Sequence, residues 1–314
     1  MEPLLQSVQP KALFQRFEVE PEEAKGILRH QKDPVYGFSY SLNPYRGCSH
    51  GCRYCYVREY PAQVPGQPRG VLHDPSEWGR WIAPKVNAPE LLWAQRHKLH
   101  GQTVFMSSAT DPYQPIEREY RLSRKCLQVL LACPTTRVIV HTRSPLVLQD
   151  LDLLRAFGPR LSVGFSIPTD DDTVRQIVEP QAPPIPTRWA AVERLTRAGV
   201  TVNLSAAPLM HLHDTSTFVR RAKESGIRSA WAGGLRLLPR DPFFEVLRQH
   251  HWLHILDPAY AEAVRQALHE AFPRRSRREL RQEGGAGPQG ISAREARLRL
   301  AAMPRQPGLF DAVG

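Results

Sequence analysis

Residues 43–56 have the sequence NPYRGCSHGCRYCY, and the interpretation of the whole chain starts from this stretch. It brings Cys48, Cys52 and Cys55 together in a Cys-x3-Cys-x2-Cys arrangement on a glycine-containing loop. The other two cysteines, Cys126 and Cys133, are isolated from this group. Three clustered thiols and two isolated ones do not suit a disulfide framework. The pattern predicts a metal site in a reducing compartment.

Two kinds of metal centre fit three closely spaced thiols. A structural zinc site needs four ligands, which usually come as two separated pairs, and the sequence has no second pair. His50 would have to complete a Cys3His knuckle from inside the first cysteine spacing. A 4Fe-4S cluster usually takes one cysteine for each iron, so three cysteines would leave one iron open to a substrate or cofactor.

Strand and helix patterns alternate on the C-terminal side of this loop. Apolar, β-rich runs occur at 39–42, 103–106, 137–141, 161–167, 200–204 and 230–238. Helical patterns occur at 122–132, 147–157, 188–198 and 215–225, several of them followed by a glycine. This alternation predicts parallel strands joined by right-handed crossovers. A closed eightfold barrel takes about 250 residues, so about six units predict an α/β fold with an open, partial barrel.

The composition divides the chain into three parts. Residues 1–37 are mixed in composition and predict an N-terminal extension with one amphipathic segment near 10–17. Residues 38–272 are predicted to form the barrel domain, with its core at 38–240. Residues 273–314 contain nine Arg and four acidic residues, which is +5 of the net charge of +11. They predict a basic, largely disordered tail with one candidate helix at 292–302.

The cysteine loop resembles the radical SAM superfamily, with Tyr54 as the aromatic residue before the last cysteine. The motifs NPYRGC at 43–48, ATDPYQPIE at 109–117, TRS at 142–144 and EP at 179–180 are similar to the branch related to spore photoproduct lyase, often described as DNA repair photolyase-like. The resemblance covers about residues 38–240. It implies a partial (β/α)6 TIM-like barrel that binds a 4Fe-4S cluster and S-adenosylmethionine (SAM). Reductive cleavage of SAM then gives a 5′-deoxyadenosyl radical that abstracts a hydrogen atom.

The same resemblance implies the site residues. Cys48, Cys52 and Cys55 are expected to hold the cluster. The SAM-binding candidates follow successive strands: Tyr54, Ser108, Thr110, Asp111, Arg143, Ser166, Glu179 and Arg188. Arg143 stands where relatives commonly carry Lys, and an Arg is not equivalent to a Lys at a carboxylate contact. Each candidate also has an ordinary structural interpretation, because Ser, Thr and Asp cap turns and Glu179 and Arg188 suit an ion pair.

Spore photoproduct lyase returns a hydrogen atom from a cysteine, so a hydrogen-atom donor needs a candidate here. Cys126 lies at a helical position, where cysteine is most often a small buried hydrophobe. Cys133, at the end of the same helix, is a weaker candidate. Tyr113, in the DPYQP motif, is the other candidate. No catalytic donor is assigned from the sequence.

Composition and short motifs indicate the partners. The chain has 314 residues and a pI near 9.7, which favours polyanionic partners. Aromatic and basic residues alternate in the insert at 57–87, as a nucleic-acid surface requires. In the tail, Gln306, Leu309 and Phe310 form a Q-x-x-L-F peptide like those that dock on the bacterial DNA sliding clamp. A reductant of the flavodoxin or ferredoxin type is expected for the cluster.

No apolar run reaches the roughly 18 residues of a membrane span, and no secretory signal is visible. A cytoplasmic location with no membrane contact is therefore expected. The sequence favours hydrogen-atom abstraction from a lesion or base in DNA. One alternative is the same chemistry on a peptide, an RNA or a small molecule. Another is a non-catalytic zinc-knuckle protein that binds nucleic acid.

Overall fold

A computed structural model describes residues 17–33, 37–64, 67, 70–237 and 240–273. Three predictions lie outside these residues. They are most of the amphipathic segment near 10–17, the tail helix at 292–302, and the clamp peptide with Gln306, Leu309 and Phe310.

The described residues form ten strands and nine α-helices. The strands are β1 (Glu18–Val19), β2 (Leu28–His30), β3 (Tyr40–Leu42), β4 (Tyr45–Gly47), β5 (Trp81–Pro84), β6 (Thr103–Met106), β7 (Arg137–Thr142), β8 (Leu161–Ser166), β9 (Thr201–Ala206) and β10 (Ser229–Ala232). The α-helices are α1 (Ala88–Ala94), α2 (Glu117–Tyr120), α3 (Leu122–Leu131), α4 (Leu151–Ala156), α5 (Asp172–Val178), α6 (Ile185–Arg197), α7 (Thr215–Glu224), α8 (Phe243–Gln249) and α9 (Pro258–Ala271).

The main sheet has seven strands in the order β10-β9-β8-β7-β6-β3-β2. Every neighbouring pair from β10 to β3 is parallel, and β2 pairs antiparallel with β3 at the edge. Side chains alternate between the two faces of a strand. Val202, Leu204 and Ala206 of β9 turn to the face that forms the main hydrophobic core. The partial barrel of six parallel strands is therefore confirmed, with β10 and β2 as its open edges.

Two predicted elements are shorter than expected. The predicted helix at 147–157 begins as a 3-10 helix at Pro145–Asp150, capped by Ser144, and becomes α-helical only in α4. Of the predicted strand at 230–238, only the part in β10 (Ser229–Ala232) is a strand; Gly233 still donates to the Ala206 carbonyl and accepts from the Leu209 amide, and residues 234–237 are not in a strand.

Part of the predicted N-terminal extension is built into the fold. β2 lies in the main sheet, and Ile27 belongs to its hydrophobic core. β1 pairs with β5 in a second sheet of order β1-β5-β4. The expectation that this segment stands outside the core is therefore wrong for residues 18–30. Strands of two or three residues are too short to show a period in the sequence.

A second hydrophobic core covers the cysteine loop. In it, Cys52 and Tyr54 pack with Val178 of α5 and with Phe243 and Leu247 of α8. Residues C-terminal to the sixth parallel strand thus close over the loop that carries the thiols. No helix in the described part of the chain is long and apolar enough to span a membrane.

Candidate functional site

The cysteine loop leaves β4 through a turn that only glycine allows. Gly47 has a φ of +74°, and a Cβ at this position would lie 2.5 Å from the carbonyl oxygen of Trp81 on the paired strand β5. Short backbone hydrogen bonds then fold the loop, such as the one that the Cys55 amide donates to the Cys52 carbonyl. The Arg53 amide donates to the carbonyl of Val178 at the end of α5, at 3.0 Å. The sheet and α5 therefore hold the loop from both sides.

The three thiols share one electrostatic environment. Burial raises the pKa of each, that of Cys48 to about 12, and nearby negative groups add to the rise: Asp111 and Cys55 for Cys48, and Glu179, Cys55 and Cys48 for Cys52. The Arg143 guanidinium lowers all three pKa values against this, and its Nη1 lies 3.1 Å from Cys52 Sγ. Arg143 therefore favours the thiolate form of all three cysteines, and Arg58 adds to the effect at Cys55. The thiolate is the form in which cysteine binds iron.

His50 lies in the same loop but has a different partner. Its Nε2 is 3.3 Å from Oδ2 of Asp111, and the histidine is buried. Within the described ranges, no group of three or more His, Cys, Asp or Glu side chains could hold one metal ion. His50 is thus paired with the Asp111 carboxylate.

A buried carboxylate joins three of the predicted residues. Glu179, just after α5, accepts hydrogen bonds from Tyr54 and Arg143 through one oxygen and from Arg188 of α6 through the other. Arg143 Nη1 also donates to the Tyr54 hydroxyl at 2.9 Å. Burial would raise the pKa of Glu179, but Arg143 and Arg188 lower it to about 2. Two guanidinium groups share one carboxylate, so Glu179 does not by itself neutralise Arg143, which also faces the Cys52 thiol.

Asp111 ties together the ends of two parallel strands. Its carboxylate accepts hydrogen bonds from the Thr142 hydroxyl at 2.6 Å, the Arg143 amide at 2.9 Å and the Tyr113 amide at 2.9 Å. His50 and these donors lower its pKa well below the usual range, although burial opposes them. Because its oxygens are already engaged, Asp111 positions the backbone that carries Arg143.

Ser108 and Thr110 lie in the loop after β6 and contact the cysteine segment. The Thr110 hydroxyl donates to the Gly47 carbonyl at 2.6 Å and accepts from Gln114 at 3.0 Å. The Ser108 hydroxyl accepts from the Asn43 amide at 3.2 Å. The structure therefore brings both residues to the edge where the cysteines begin.

Two buried serine hydroxyls at the same strand ends have no hydrogen-bond partner among the described residues. They are Ser107, after β6, and Ser166, the last residue of β8. Leaving a buried hydroxyl unpaired costs about 1–3 kcal/mol, so such groups suit a polar ligand. Together with the thiols and the Arg143 guanidinium, they fit a cluster and a zwitterionic cofactor.

Both hydrogen-donor candidates are fully buried. Tyr113 donates its hydroxyl hydrogen to Asp150 at 3.1 Å and lies in the main core. Cys126 lies in the same core, and burial raises the pKa of its thiol. Cys133 is only partly buried, and its thiol donates to the Val129 carbonyl of its own helix at 3.5 Å. Neither Tyr113 nor Cys126 offers surface to a substrate in this structure.

The aromatic residues of the insert at 57–87 divide into two groups. Trp81 is buried on β5 and stacks on His73, with Trp78 at its edge. These rings pack within the fold instead of facing a nucleic acid. Tyr60 is 61% exposed and contacts the exposed Tyr56 ring, which directly follows Cys55.

Sequence reasoning missed several residues that shape the site. Asn43 bonds to both Ser108 and the Ala109 amide, and Gln114 links Thr110 to the Ser49 amide. Asn43 lies in the NPYRGC motif and Gln114 in the ATDPYQPIE motif, so an amide side chain inside a motif was the sign that could have identified them. Phe243, whose ring meets Tyr54 edge-on, comes from a segment of the chain with no such motif.

Comparison with known protein families and sequences gives a consistent result. A family model for the radical SAM superfamily matches residues 42–228. An uncharacterised protein of Methanocaldococcus jannaschii is 28% identical over 195 residues, covering 62% of this chain and 69% of that protein. An uncharacterised protein of Acidianus two-tailed virus is 33% identical over 172 residues, covering 54% of this chain and 56% of that protein. One from Mycobacterium tuberculosis is 31% identical over 183 residues, covering 55% and 50%. The chain thus spans between 50% and 69% of the length of these relatives.

Solved structures with a similar fold include variants of spore photoproduct lyase. One, with bound AdoMet and dinucleoside spore photoproduct, has a TM-score of 0.58 at 16% identity, covering 81% of this chain and 79% of that one. Another, with the dinucleoside spore photoproduct, also has a TM-score of 0.58 at 16% identity, covering 81% and 80%. At this identity the likeness concerns the fold.

Proposed function

Since the chain belongs to the radical SAM superfamily, we propose that it abstracts a hydrogen atom from a base or a base lesion in DNA. Membership of the family makes the chain an enzyme whose cofactors are a 4Fe-4S cluster and SAM. When bound, these cofactors supply a 5′-deoxyadenosyl radical by reductive cleavage of SAM. This replaces the alternative of a non-catalytic zinc-knuckle protein.

The chain's own residues would bind and orient the cofactors. Cys48, Cys52 and Cys55 would hold three irons and leave the fourth for SAM. Arg143 would pair with the SAM carboxylate, in the bidentate manner that guanidinium groups favour. The unpaired Ser166 hydroxyl would bond to the ribose, and Tyr54 would pack near the adenine.

The remaining predicted residues support this arrangement. Glu179 and Arg188 would fix the position of Arg143, and Asp111 would fix its backbone. Ser108 and Thr110 would lie near the amino group of SAM, at the strand ends that border the cysteine loop.

The observation that carries the proposal is the position of Arg143, whose guanidinium lies 3.1 Å from Cys52 Sγ at the strand ends that also carry the unpaired Ser107 and Ser166 hydroxyls. A buried guanidinium and two buried hydroxyls without partners suit a ligand with a carboxylate and further polar groups. SAM would supply both.

Several observations support DNA as the substrate. The motifs and the fold are similar to those of spore photoproduct lyase. The exposed rings of Tyr56 and Tyr60 follow the cysteine loop directly, and stacking on aromatic rings is how unpaired bases are held. The net charge of +11 also favours a polyanion. Hydrogen abstraction from a peptide, an RNA or a small molecule remains the alternative within the same family.

Transfer of a deuterium label tests the substrate. The reconstituted, reduced protein is incubated with SAM and with DNA deuterated at the bases, both untreated and ultraviolet-irradiated. Deuterium recovered in 5′-deoxyadenosine supports the proposal, with Cys52→Ala as the control that cannot form the complete site. Label recovered only from a deuterated peptide or RNA, with none from either DNA, contradicts DNA as the substrate.

Two protein partners belong to the same proposal. A flavodoxin or ferredoxin would supply the electron that reduces the cluster. The DNA sliding clamp would bind the tail through Gln306, Leu309 and Phe310. The support is the chemistry of the cluster for the first and the Q-x-x-L-F pattern for the second.

A further inference from the structure

The last parallel strand turns a tryptophan toward the face of the sheet that carries the site. In β10, Trp231 pairs with Ser205 of β9, which pairs with Ser166 of β8. The residues on either side of Trp231 turn the other way, because Ala232 is buried in the main core and Ala230 packs against it. Side chains in register across a sheet share a face. Trp231 therefore lies on the same face as Ser166.

This tryptophan is large, exposed and backed by a cation. It is 49% exposed, whereas most rings on the described strands are buried or half-buried. The Arg265 guanidinium of α9 lies 4.8 Å from the centre of the indole ring and donates to the Ala232 carbonyl at 3.1 Å. Arg265 thus covers the ring on one side and occupies the open edge of β10. A ring fixed in this way loses little freedom when a ligand stacks on it.

Small polar side chains surround Trp231 on this face. Ser205 lies between Trp231 and Ser166, and Asn203 and Ser229 form a hydrogen-bonded pair at 2.8 Å, two residues closer to the N-terminal ends of their strands. Gly233, which has no Cβ, lies next to the indole nitrogen. Small side chains leave room above the sheet. Hydroxyl and amide groups can bond to the polar edge of a heterocycle.

We propose that Trp231, supported by Arg265, is the stacking platform for a nucleobase of the substrate. The proposal rests on the proposed function, because it takes DNA as the substrate. Neighbouring strands are about 4.8 Å apart, so the platform stands roughly 10 Å from Ser166, two strands away. A base stacked there lies on the same face as the residue expected to hold the SAM ribose, with one strand between them. Asn203 and Ser205 then face the edge of the base.

The binding of a fluorescent dT10 oligonucleotide tests the platform. The cluster-loaded, SAM-bound protein is titrated without reductant, and the dissociation constant is measured by anisotropy. Base stacking on an aromatic ring contributes about 1–3 kcal/mol, so Trp231→Ala should weaken binding about tenfold or more. Trp231→Phe, which keeps a ring, should weaken binding several times less than Trp231→Ala does.

Trp93→Ala is the matched control. Trp93 also has an arginine over its ring, with Arg96 4.1 Å from the ring centre, but it lies on α1, away from the parallel-strand face. This variant should bind the oligonucleotide within about twofold of the unaltered protein. Thermal melting of all three variants checks that each is folded.

The outcomes separate this inference from the proposed function. If Trp231→Ala is folded and binds dT10 as tightly as the unaltered protein, the platform is refuted while DNA binding stands. If Trp231→Ala and Trp93→Ala weaken binding equally, the loss is not specific to the platform and the inference is also refuted. If the unaltered protein cleaves SAM but binds no oligonucleotide, DNA as the substrate is refuted, and this inference with it.

Discussion

At the scale of single residues, Arg143 contacts four residues that are far apart in the sequence. Its side chain contacts Cys52, Tyr54 and Glu179, and its amide donates to Asp111. All three side-chain contacts are made through Nη1 of the guanidinium, and the contact with Asp111 is made by the backbone amide. Arg143, at a position where the resemblance implies a lysine, therefore belongs to the network that surrounds the thiols as well as to the expected contact with SAM.

Glu179→Gln tests the charge balance of this network. The substitution leaves the buried Arg188 without a counter-charge, so we expect a loss of about 3–5 kcal/mol in the free energy of unfolding. Glu193→Gln is the control, because Glu193 pairs with Arg197 and Arg221 at the surface and should cost less than about 1 kcal/mol. Urea titration of the cluster-free proteins measures both. Equal losses in the two variants would contradict the account.

The same carboxylate gives a pH dependence with a defined sign. The pKa of Glu179 falls from 4.5 to about 2 on folding, so its contribution to stability is complete above about pH 4.5. The contribution is lost as the pH decreases toward 2. We expect the unaltered protein to lose stability over this range more steeply than Glu179→Gln. Parallel pH profiles for the two proteins would show that Glu179 is not held ionised.

At the scale of elements, the sequence indicates the main strands well. The bounds of β6 are those of the predicted strand at 103–106, and those of β7 differ from 137–141 by one residue. Apolar, β-rich runs mark the strands and glycines follow several of the helices, and both are local signals. β1 and β2 have two and three residues and carry no such signal. Their place in the sheets follows from pairing with distant residues.

Some residues of the candidate site could also be predicted from the sequence, and others could not. The cysteines and the polar residues after β6 and β7 are visible as motifs next to strands. The hydrogen bonds that Arg143 and Arg188 donate to Glu179 depend on how α5 and α6 pack, which the sequence alone does not show. The packing of α8 against the cysteine loop likewise depends on contacts between distant parts of the chain.

Gly47→Ala tests how the turn after β4 presents the cysteine loop. A Cβ there would meet the Trp81 carbonyl at 2.5 Å in a backbone conformation with φ +74°. Strain of this kind costs about 1–3 kcal/mol or more, and the loop must move to relieve it. After anaerobic reconstitution, we expect Gly47→Ala to contain less than about half the iron of the unaltered protein, since loop movement separates the thiols.

Gly158→Ala is the control for Gly47→Ala. Gly158 also has a positive φ of +57°, but in the described structure no atom lies within 4 Å of an added Cβ. Its iron content should equal that of the unaltered protein. A Gly47→Ala protein with full iron content would show that the turn does not set the position of the thiols.

At the scale of the whole molecule, the positive charge has two locations. The segment 273–314 supplies +5 of the net +11, and the remainder belongs to the first 272 residues. The tail charge therefore says little about the catalytic face. It favours instead a docking segment that keeps the enzyme near a polyanion. The exposed rings near the cysteine loop and on β10 are separate features of the folded part.

A double substitution tests the tail as a docking segment. We expect the full chain to retain the bacterial sliding clamp in a pull-down with purified proteins. Replacing Leu309 and Phe310 by Ala should reduce retention about tenfold or more, because these two apolar side chains would anchor the peptide. Replacing Arg305 by Ala is the control and should leave most of the binding. Retention of the clamp by the double variant at the unaltered level would refute docking through this peptide.

Reductive cleavage of SAM tests the central claim most directly. The anaerobically reconstituted protein should be brown, contain about four irons per chain, and convert SAM to 5′-deoxyadenosine and methionine when reduced. Cys52→Ala, prepared in the same way, should give none. A cluster-loaded protein that forms no 5′-deoxyadenosine with dithionite, with a reduced flavodoxin or with a reduced ferredoxin would contradict the account.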